Sequence, residues 1–218
     1  MNSKIGVFDS GVGGLSVAQA IEKALPKVEV LFVNDAEHVP YGDKSMDLVY
    51  SYVAPILKKL EKEKCDVIVI ACNTVSTNLI EKLRQTIKVP LIGMEPMVKS
   101  ASEQTQTGIV AVCATPATLA SARYHWLKDT YANTIAVVEP DCSSWSRMIE
   151  ADAVDHAFIE QQINDLCEQK VDIIVLGCTH YHWIEDDIRR IAEGRALVLQ
   201  PEQSVIRKIV RTLEEIKI

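Results

Sequence analysis

One stretch occurs twice in the chain: residues 65–74 read CDVIVIACNT, and residues 171–180 read VDIIVLGCTH. In each copy an aspartate precedes a short apolar run rich in β-branched residues, which is typical of a strand buried on both faces of a parallel sheet. Each run ends in a small residue and a cysteine, so that Cys72 corresponds to Cys178. A helical pattern of apolar residues follows both. The repeat therefore predicts two similar α/β units, each with a cysteine where a buried strand ends.

The remaining sequence alternates between strand and helix patterns on either side of a polar stretch, residues 94–107, where we place the domain junction. In open α/β sheets, ligands bind beyond the carboxyl ends of the strands, so two matched cysteines indicate one shared site. We predict an α/β fold of two pseudo-symmetric flavodoxin-like domains with parallel sheets and an active site in the cleft between them. Residues 1–96 with 201–218 form the first domain, and residues 97–200 form the second.

Composition narrows the class of protein. The 218 residues carry a formal net charge of -7, which argues against a nucleic-acid partner, because affinity for phosphate backbones comes mostly from clustered Lys and Arg. No apolar run approaches the roughly 18 to 20 residues of a membrane helix. The six cysteines show no C-x-x-C spacing. We therefore expect a cytoplasmic protein with free thiols, without a zinc ribbon, structural disulfides or a membrane partner.

Residues 9–14, DSGVGG, follow the first predicted strand and precede a helical pattern. Asp9 and Ser10 place a carboxylate and a hydroxyl at the end of that strand, and the glycines allow backbone amides to approach a ligand. The Gly-Lys-Ser/Thr ending of a phosphate-binding loop is absent, and Ser16 stands where a dinucleotide-binding loop needs its third glycine. The stretch indicates a binding loop without a nucleotide cofactor. The alternative is a tight turn that needs glycine only for its shape.

Single buried cysteines are usually inert, but two equivalent strand-end cysteines followed by Asn-Thr and Thr-His favour chemistry. A metal site built from Cys72, Cys178 and His180 is disfavoured, because no closely spaced pair of ligands is present. We expect neither a metal nor a cofactor. The remaining cysteines (Cys65, Cys113, Cys142 and Cys167) are interpreted as inert, and the remaining histidines (His38, His125, His156 and His182) have no predicted role.

At these residues the sequence resembles the glutamate racemase family, within the wider aspartate/glutamate racemase superfamily. The motifs that carry the resemblance are DSGVGGLS at residues 9–16, PYG at 40–42, ACNT at 71–74 and GCTHY at 177–181. Thr115, Thr118, Ser121 and Tyr124 fit a further motif, and Glu150 follows Cys142 by eight positions, as a family glutamate does. The likeness covers nearly the whole chain.

The resemblance implies a cofactor-independent racemase that interconverts L- and D-glutamate and supplies D-glutamate for peptidoglycan synthesis. It implies Cys72 and Cys178 as the acid/base pair, with Asp9, His180 and Glu150 as further catalytic residues. His180 stands where related aspartate racemases usually carry glutamate. A homodimer is left open. The substrate-binding residues implied by the same motifs are Asp9, Ser10, Tyr41, Gly42, Asn73, Thr74, Thr115, Thr118, Thr179 and His180.

The chemistry of inversion agrees with two cysteines. Inverting an α-carbon without a cofactor requires one group to remove a proton from one face while a second group delivers a proton to the other. Two alternatives remain open. One is another enzyme of the superfamily, an isomerase or decarboxylase acting on aspartate or a related acid. The other is a non-catalytic amino-acid-binding protein, which has no reason to keep both cysteines.

Overall fold

A computed structural model describes residues 3–216 of the chain. It divides into two compact units: the first holds the residues up to Met94 and those from Pro201 onward, and the second holds Glu95–Gln200. The predicted first segment of the first unit ends at residue 96, two residues later than in the structure. In chain order the elements are β1 (Lys4–Asp9), α1 (Gly14–Ala24), β2 (Glu29–Asn34), α2 (Met46–Lys62), β3 (Val67–Ile70), α3 (Asn73–Arg84), β4 (Leu91–Gly93), α4 (Val98–Gln104), β5 (Ile109–Ala114), α5 (Pro116–Leu119), α6 (Ala122–Tyr131), β6 (Ala136–Val138), α7 (Trp145–Glu150), α8 (His156–Glu168), β7 (Ile173–Gly177), α9 (Glu185–Ala192), β8 (Leu197–Leu199) and α10 (Glu202–Ile216).

The two units have the same sheet topology. The first contains a parallel sheet in the order β2-β1-β3-β4, and the second contains a parallel sheet in the order β6-β5-β7-β8. This is the strand order of a flavodoxin-like sheet, in which the chain reverses direction of winding at the first strand. The predicted α/β class with parallel sheets is confirmed. The duplicated strands, β3 and β7, occupy equivalent interior positions.

The duplicated strands are buried on both faces. In β3, Ile68 and Ile70 pack in one apolar cluster with side chains of α2 and α3, whereas Val67 and Val69 pack in another with side chains of α1 and α10. Successive side chains of a strand point to opposite faces, so a run without polar residues requires helices on both sides. In β7, Ile174 and Leu176 likewise belong to a different cluster from Ile173 and Val175.

The two repeated aspartates, Asp66 and Asp172, make equivalent hydrogen bonds in the two units. The Oδ2 atom of Asp66 accepts a hydrogen bond from the backbone amide of Lys4 at 2.8 Å. The Oδ2 atom of Asp172 accepts hydrogen bonds from the backbone amides of Gln106 and Thr107, at 2.6 and 2.9 Å. Each aspartate thus ties the start of a duplicated strand to the start of the adjacent strand.

Three local features differ from the sequence-based expectation. The polar stretch 94–107 contains a helix, α4, in which only Val98 and Ala101 are buried. A second short helix, α7, ends at Glu150 and was not predicted from the sequence. The chain after Cys178 first forms a 3-10 turn, Thr179–Ile184, before α9 begins. All three are too short for a clear apolar period. Within residues 3–216, no helix is long and apolar enough to span a membrane.

Candidate active site

In the first unit, the predicted site residues meet at the carboxyl ends of β1 and β3. These strands pair with Phe8 opposite Ile70, so the residues that follow each strand emerge side by side. The Oγ atom of Ser10 lies 3.5 Å from the Sγ atom of Cys72, and both residues are buried. Cys72 directly precedes α3, whose N-terminal amides favour a negative charge on the sulfur.

Asp9 ends β1 and is fully buried. Its Oδ2 atom accepts a hydrogen bond of 2.7 Å from the backbone amide of Gly14, the first residue of α1. A Cβ atom added at Gly14 would lie 2.4 Å from the Cβ atom of Asp9, well inside contact distance. The glycine therefore allows the first turn of α1 to close onto the carboxylate, which fixes the direction of the Asp9 side chain.

Asn73 is the first residue of α3 and follows Cys72 directly. Its side chain is buried, with 3% of the residue exposed, and neither the oxygen nor the nitrogen of its amide has a hydrogen-bond partner among the described residues. A buried polar group left unpaired costs about 1–3 kcal/mol. Such a group indicates a place where a polar ligand binds. Thr74, the next residue, is buried as well.

Tyr41 begins a 3-10 turn, Tyr41–Asp43, that also contains the half-buried Gly42. The Tyr41 hydroxyl donates a hydrogen bond of 2.5 Å to the Oδ2 atom of Asp35. Burial, this hydrogen bond and the charge of Asp35 raise the pKa of Tyr41 well above its usual value, with smaller contributions from Cys72 and Asp9. The hydroxyl therefore keeps its proton, and it lies within electrostatic reach of two predicted catalytic residues.

In the second unit, three predicted catalytic residues form a chain of contacts. The Sγ atom of Cys178 lies 3.6 Å from the Nδ1 atom of His180, and the Nε2 atom of His180 lies 2.5 Å from the Oε1 atom of Glu150. The His180 side chain is 4% exposed and that of Glu150 is 20% exposed. A carboxylate that orients an imidazole beside a thiol is an arrangement that holds or moves a proton at the sulfur.

Packing between α7 and the 3-10 turn Thr179–Ile184 positions the contacts among Cys178, His180 and Glu150. The rings of Trp145 and Tyr181 meet edge to face with centroids 4.9 Å apart, and the Tyr181 hydroxyl donates to the backbone carbonyl of Cys142 at 2.9 Å. Burial raises the pKa of Tyr181, so this hydrogen bond keeps its donor. Since α7 ends at Glu150, the contact also sets the distance between Glu150 and His180.

The threonines of the predicted substrate site are buried in the second unit. Thr115 follows β5, caps α5 by accepting from the Thr118 amide at 3.3 Å, and donates its hydroxyl hydrogen to the Thr118 hydroxyl at 3.0 Å. Because β5 pairs with β7 and Ala114 lies opposite Gly177, Thr115 and Cys178 emerge at the same edge of the sheet. Thr179 is buried next to Cys178.

Four cysteines outside the two motifs were interpreted as inert. The part of the chain that the structure describes contains all six cysteines, and none of them forms a disulfide. A hydrogen bond with Cys113, together with burial, raises the pKa of the Cys142 thiol, and burial raises the pKa values of Cys65 and Cys167. A raised pKa disfavours the thiolate, which is the reactive form. Within residues 3–216, no group of three or more His, Cys, Asp and Glu side chains could hold a metal ion.

Asp35 and His38 were not among the predicted site residues. Asp35 is a buried carboxylate that follows β2 directly, and it contacts Tyr41 and His38. Its place after a strand of the same sheet is the signal that could have identified it, because Asp9 was identified in that way. His38 offered no such signal, since its contacts depend on the path of the loop.

The sequence is similar to known proteins over nearly its whole length. The Asp/Glu/Hydantoin racemase family matches residues 5–207. The glutamate racemase of Pseudomonas aeruginosa is 36% identical over 217 residues, covering 97% of this chain and 82% of the relative. That of Ectopseudomonas mendocina is 34% identical over 214 residues, covering 96% of this chain and 81% of the relative.

The chain is also similar to solved structures of glutamate racemases. Escherichia coli glutamate racemase, in complex with L-glutamate and the activator UDP-MurNAc-ala, matches with a TM-score of 0.90 at 28% identity, covering 98% of this chain and 83% of that one. Francisella tularensis glutamate racemase in complex with D-glutamate matches with a TM-score of 0.82 at 28% identity, covering 99% and 82%. Picrophilus torridus aspartate racemase, at 16% identity and a TM-score of 0.70, shares the fold. The duplicated sheets, the two strand-end cysteines and the near-complete match together show that the chain belongs to the Asp/Glu/Hydantoin racemase family.

Proposed function

We propose that the protein is a cofactor-independent racemase that interconverts L- and D-glutamate, with Cys72 and Cys178 as its two acid/bases. The relatives named glutamate racemase support this activity over nearly the full chain. The observation that carries the mechanism is that both strand-end thiols are buried beside polar side chains, a hydroxyl at Cys72 and an imidazole at Cys178. An inert cysteine has no need of such neighbours.

Two-base racemisation follows from the acidity of a thiol. A free cysteine has a pKa of about 8.5, so a thiolate and a thiol coexist near neutral pH when the surroundings favour one of them. The thiolate takes the α-proton of one enantiomer, and the other thiol gives its proton to the opposite face of the carbanion. The product is the other enantiomer, and the two sulfurs have exchanged protonation states. The enzyme is then ready for the reverse reaction.

The side chains around each sulfur have separable roles in this proposal. His180, oriented by Glu150, exchanges a proton with or stabilises the charge of Cys178. Asp9 assists at Cys72. The unpaired amide of Asn73 binds the polar groups of the substrate. The other residues proposed to hold the substrate are Ser10, Tyr41, Gly42, Thr74, Thr115, Thr118 and Thr179.

In the cell, we propose that the reaction supplies D-glutamate for peptidoglycan synthesis in the cytoplasm. The mechanism needs both sulfurs to reach one α-carbon, so we propose that Cys72 and Cys178 act on the same bound substrate. Water must be excluded from the carbanion-like transition state of this reaction.

The main rival function is racemisation of aspartate, because an aspartate racemase shares the fold. Circular dichroism of purified protein incubated separately with both enantiomers of glutamate and aspartate separates the two. We expect both glutamate enantiomers to racemise, and aspartate to do so at least about tenfold more slowly, as expected when one methylene is missing from the substrate. Activity should survive exhaustive dialysis against a chelator. Faster turnover of aspartate than of glutamate, or loss of activity after dialysis against the chelator, would contradict the proposal.

Serine variants test the two cysteines. Because a hydroxyl is a far weaker acid and base than a thiol, Cys72→Ser and Cys178→Ser should each lower kcat by about 10²- to 10⁴-fold. Cys167→Ser is the matched control, since Cys167 is half-buried and outside both motifs. Near-normal turnover by either of the first two variants would remove that cysteine from the mechanism.

A further inference from the structure

In the first unit, a network of side-chain contacts links Tyr52, His38 and Asp35 to Tyr41. The carboxylate of Asp35 uses both oxygens: Oδ2 accepts from the Tyr41 hydroxyl at 2.5 Å, and Oδ1 lies 2.8 Å from the Nδ1 atom of His38. The His38 ring stacks on the ring of Tyr52, with centroids 3.8 Å apart and planes 14° from parallel. Tyr52 belongs to α2, so the chain of contacts joins the residues after β2 to a helix of the same unit.

The contact between His38 and Asp35 is energetically important because the carboxylate is buried. The Asp35 side chain is only 9% exposed, whereas that of His38 is 31% exposed. A carboxylate taken out of water needs hydrogen-bond donors, and loss of one donor leaves a charged oxygen uncompensated. A donor nitrogen at His38 therefore holds Asp35 in the orientation in which its other oxygen meets Tyr41.

Tyr41 connects this network to the residues around Cys72. Its ring packs in the same apolar cluster as Phe8, Val75 and Cys72. It also begins the 3-10 turn that carries Gly42, which we assign to substrate binding. The position of the Tyr41 ring thus sets where the backbone of this turn lies relative to the strand end that carries Cys72.

We propose that His38 is a positioning residue for substrate binding: through Asp35 and Tyr41 it holds the turn Tyr41–Asp43 in its binding conformation. The inference rests on the proposed function, because the effect is measured as affinity for glutamate. The contacts of His38 are with Asp35 and Tyr52 rather than with either motif cysteine, so its removal should alter KM and leave the proton-transfer steps at Cys72 and Cys178 nearly unchanged.

Two substitutions separate the hydrogen bond from the ring stacking. His38→Asn keeps an N–H donor near the position of Nδ1 and removes the ring. His38→Phe keeps a ring on Tyr52 and removes the donor. We expect His38→Phe to raise KM for both glutamate enantiomers by about fivefold or more with kcat changed less than about twofold, and His38→Asn to stay within about twofold of the wild type. His125→Ala, an exposed histidine of the second unit, is the control.

A double-mutant cycle tests whether the effect passes through Tyr41. Tyr41→Phe removes only the hydroxyl that Asp35 accepts from, so it should raise KM by itself. Adding His38→Phe to Tyr41→Phe should then raise KM by less than about twofold more, because the connection is already broken. Independent, multiplicative effects on KM would overturn the proposed path.

The outcomes distinguish the inference from the proposed function. A wild-type protein that does not racemise glutamate refutes the function, and the inference falls with it. An active wild type with an unchanged KM in His38→Phe refutes the inference alone. A kcat that falls as much as KM rises, or His38→Asn that matches His38→Phe, also overturns it, because positioning through the hydrogen bond predicts neither. A lower unfolding midpoint in urea without a change in KM would assign His38 to stability only.

Discussion

The two candidate cysteines differ in their immediate surroundings. Cys72 lies beside the Ser10 hydroxyl at the start of a helix, whereas Cys178 lies beside an imidazole that contacts a carboxylate. The positions of Cys72 and Cys178 at strand ends were predictable because both residues follow the duplicated strands. The contacts of Glu150 were not, because they depend on the packing of α7 against the turn after Cys178, which residue order does not reveal.

Substitutions of Glu150 and His180 test the contact chain at Cys178. Glu150→Gln keeps a hydrogen-bond acceptor for His180 but removes the charge, so we expect kcat/KM for both glutamate enantiomers to fall by about 10- to 100-fold, the value of a hydrogen bond to a charged group. His180→Asn should cost at least as much. Steady-state kinetics measure both, with Glu168→Gln as an exposed carboxylate control. An unchanged kcat/KM in Glu150→Gln would exclude Glu150 from catalysis.

The Gly14 position offers a second test at the scale of one residue. An alanine there places its Cβ atom 2.4 Å from the Cβ atom of Asp9, so either α1 or Asp9 must move. We expect Gly14→Ala to lower the free energy of unfolding by about 1–3 kcal/mol, as other overpacked sites do, and to lower kcat as Asp9 shifts. Urea denaturation and steady-state kinetics check both effects.

The control for this position lies on the same helix. Gln19 is exposed on α1, so Gln19→Ala should leave the free energy of unfolding within about 0.5 kcal/mol of the wild type. If Gly14→Ala unfolds at the wild-type urea concentration, the close approach of α1 to Asp9 is not a requirement of the fold.

At the scale of elements, strands were easier to predict than short helices. The runs at 67–70 and 173–177 are wholly apolar because helices cover both faces of the sheet, and this feature is visible in the sequence. Helix α4 has only two buried side chains in seven residues, and α7 likewise has two in six. Such helices exist because they pack on a neighbour, so their own apolar period is too weak to identify them.

The hydrogen bonds of Asp172 predict a dependence of stability on pH. Burial alone raises the pKa of Asp172, but the hydrogen bonds from Thr105, Thr107 and Gln106 outweigh it and lower the pKa below its usual value. A depressed pKa stabilises the folded protein above the unfolded-state pKa of about 3.9, and the contribution is lost as the pH falls through the folded-state pKa.

Replacing this aspartate should remove that contribution. Asp172→Asn should be less stable than the wild type by about 1 kcal/mol at pH 7, and the two proteins should converge as the pH falls below about 4. Urea denaturation over a pH series measures this difference. Glu168→Gln, on the exposed side of α8, is the control. A constant difference between Asp172→Asn and wild type at all pH values would show that the carboxylate charge contributes nothing.

At the scale of the whole molecule, the duplicated sequence corresponds to duplicated topology. The orders β2-β1-β3-β4 and β6-β5-β7-β8 place β3 and β7 at equivalent positions, so the two cysteines follow equivalent strands. A two-base racemase requires this kind of pairing, because the faces of an α-carbon are mirror-related and each needs its own proton donor and acceptor. The repeat was therefore the most informative feature of the sequence for both fold and function.

Deuterium incorporation tests the two-base mechanism most directly. The wild-type protein is incubated in deuterated water with L-glutamate and, separately, with D-glutamate, and both enantiomers are recovered early in the reaction for mass spectrometry. In the proposed mechanism each sulfur takes the substrate proton from its own face while the other delivers solvent deuterium, so we predict label at the α-carbon of the inverted product and little in recovered substrate. Label that appears in recovered substrate as fast as in product would show that a single group removes and returns the proton, and would contradict the assignment of Cys72 and Cys178 as opposed acid/bases.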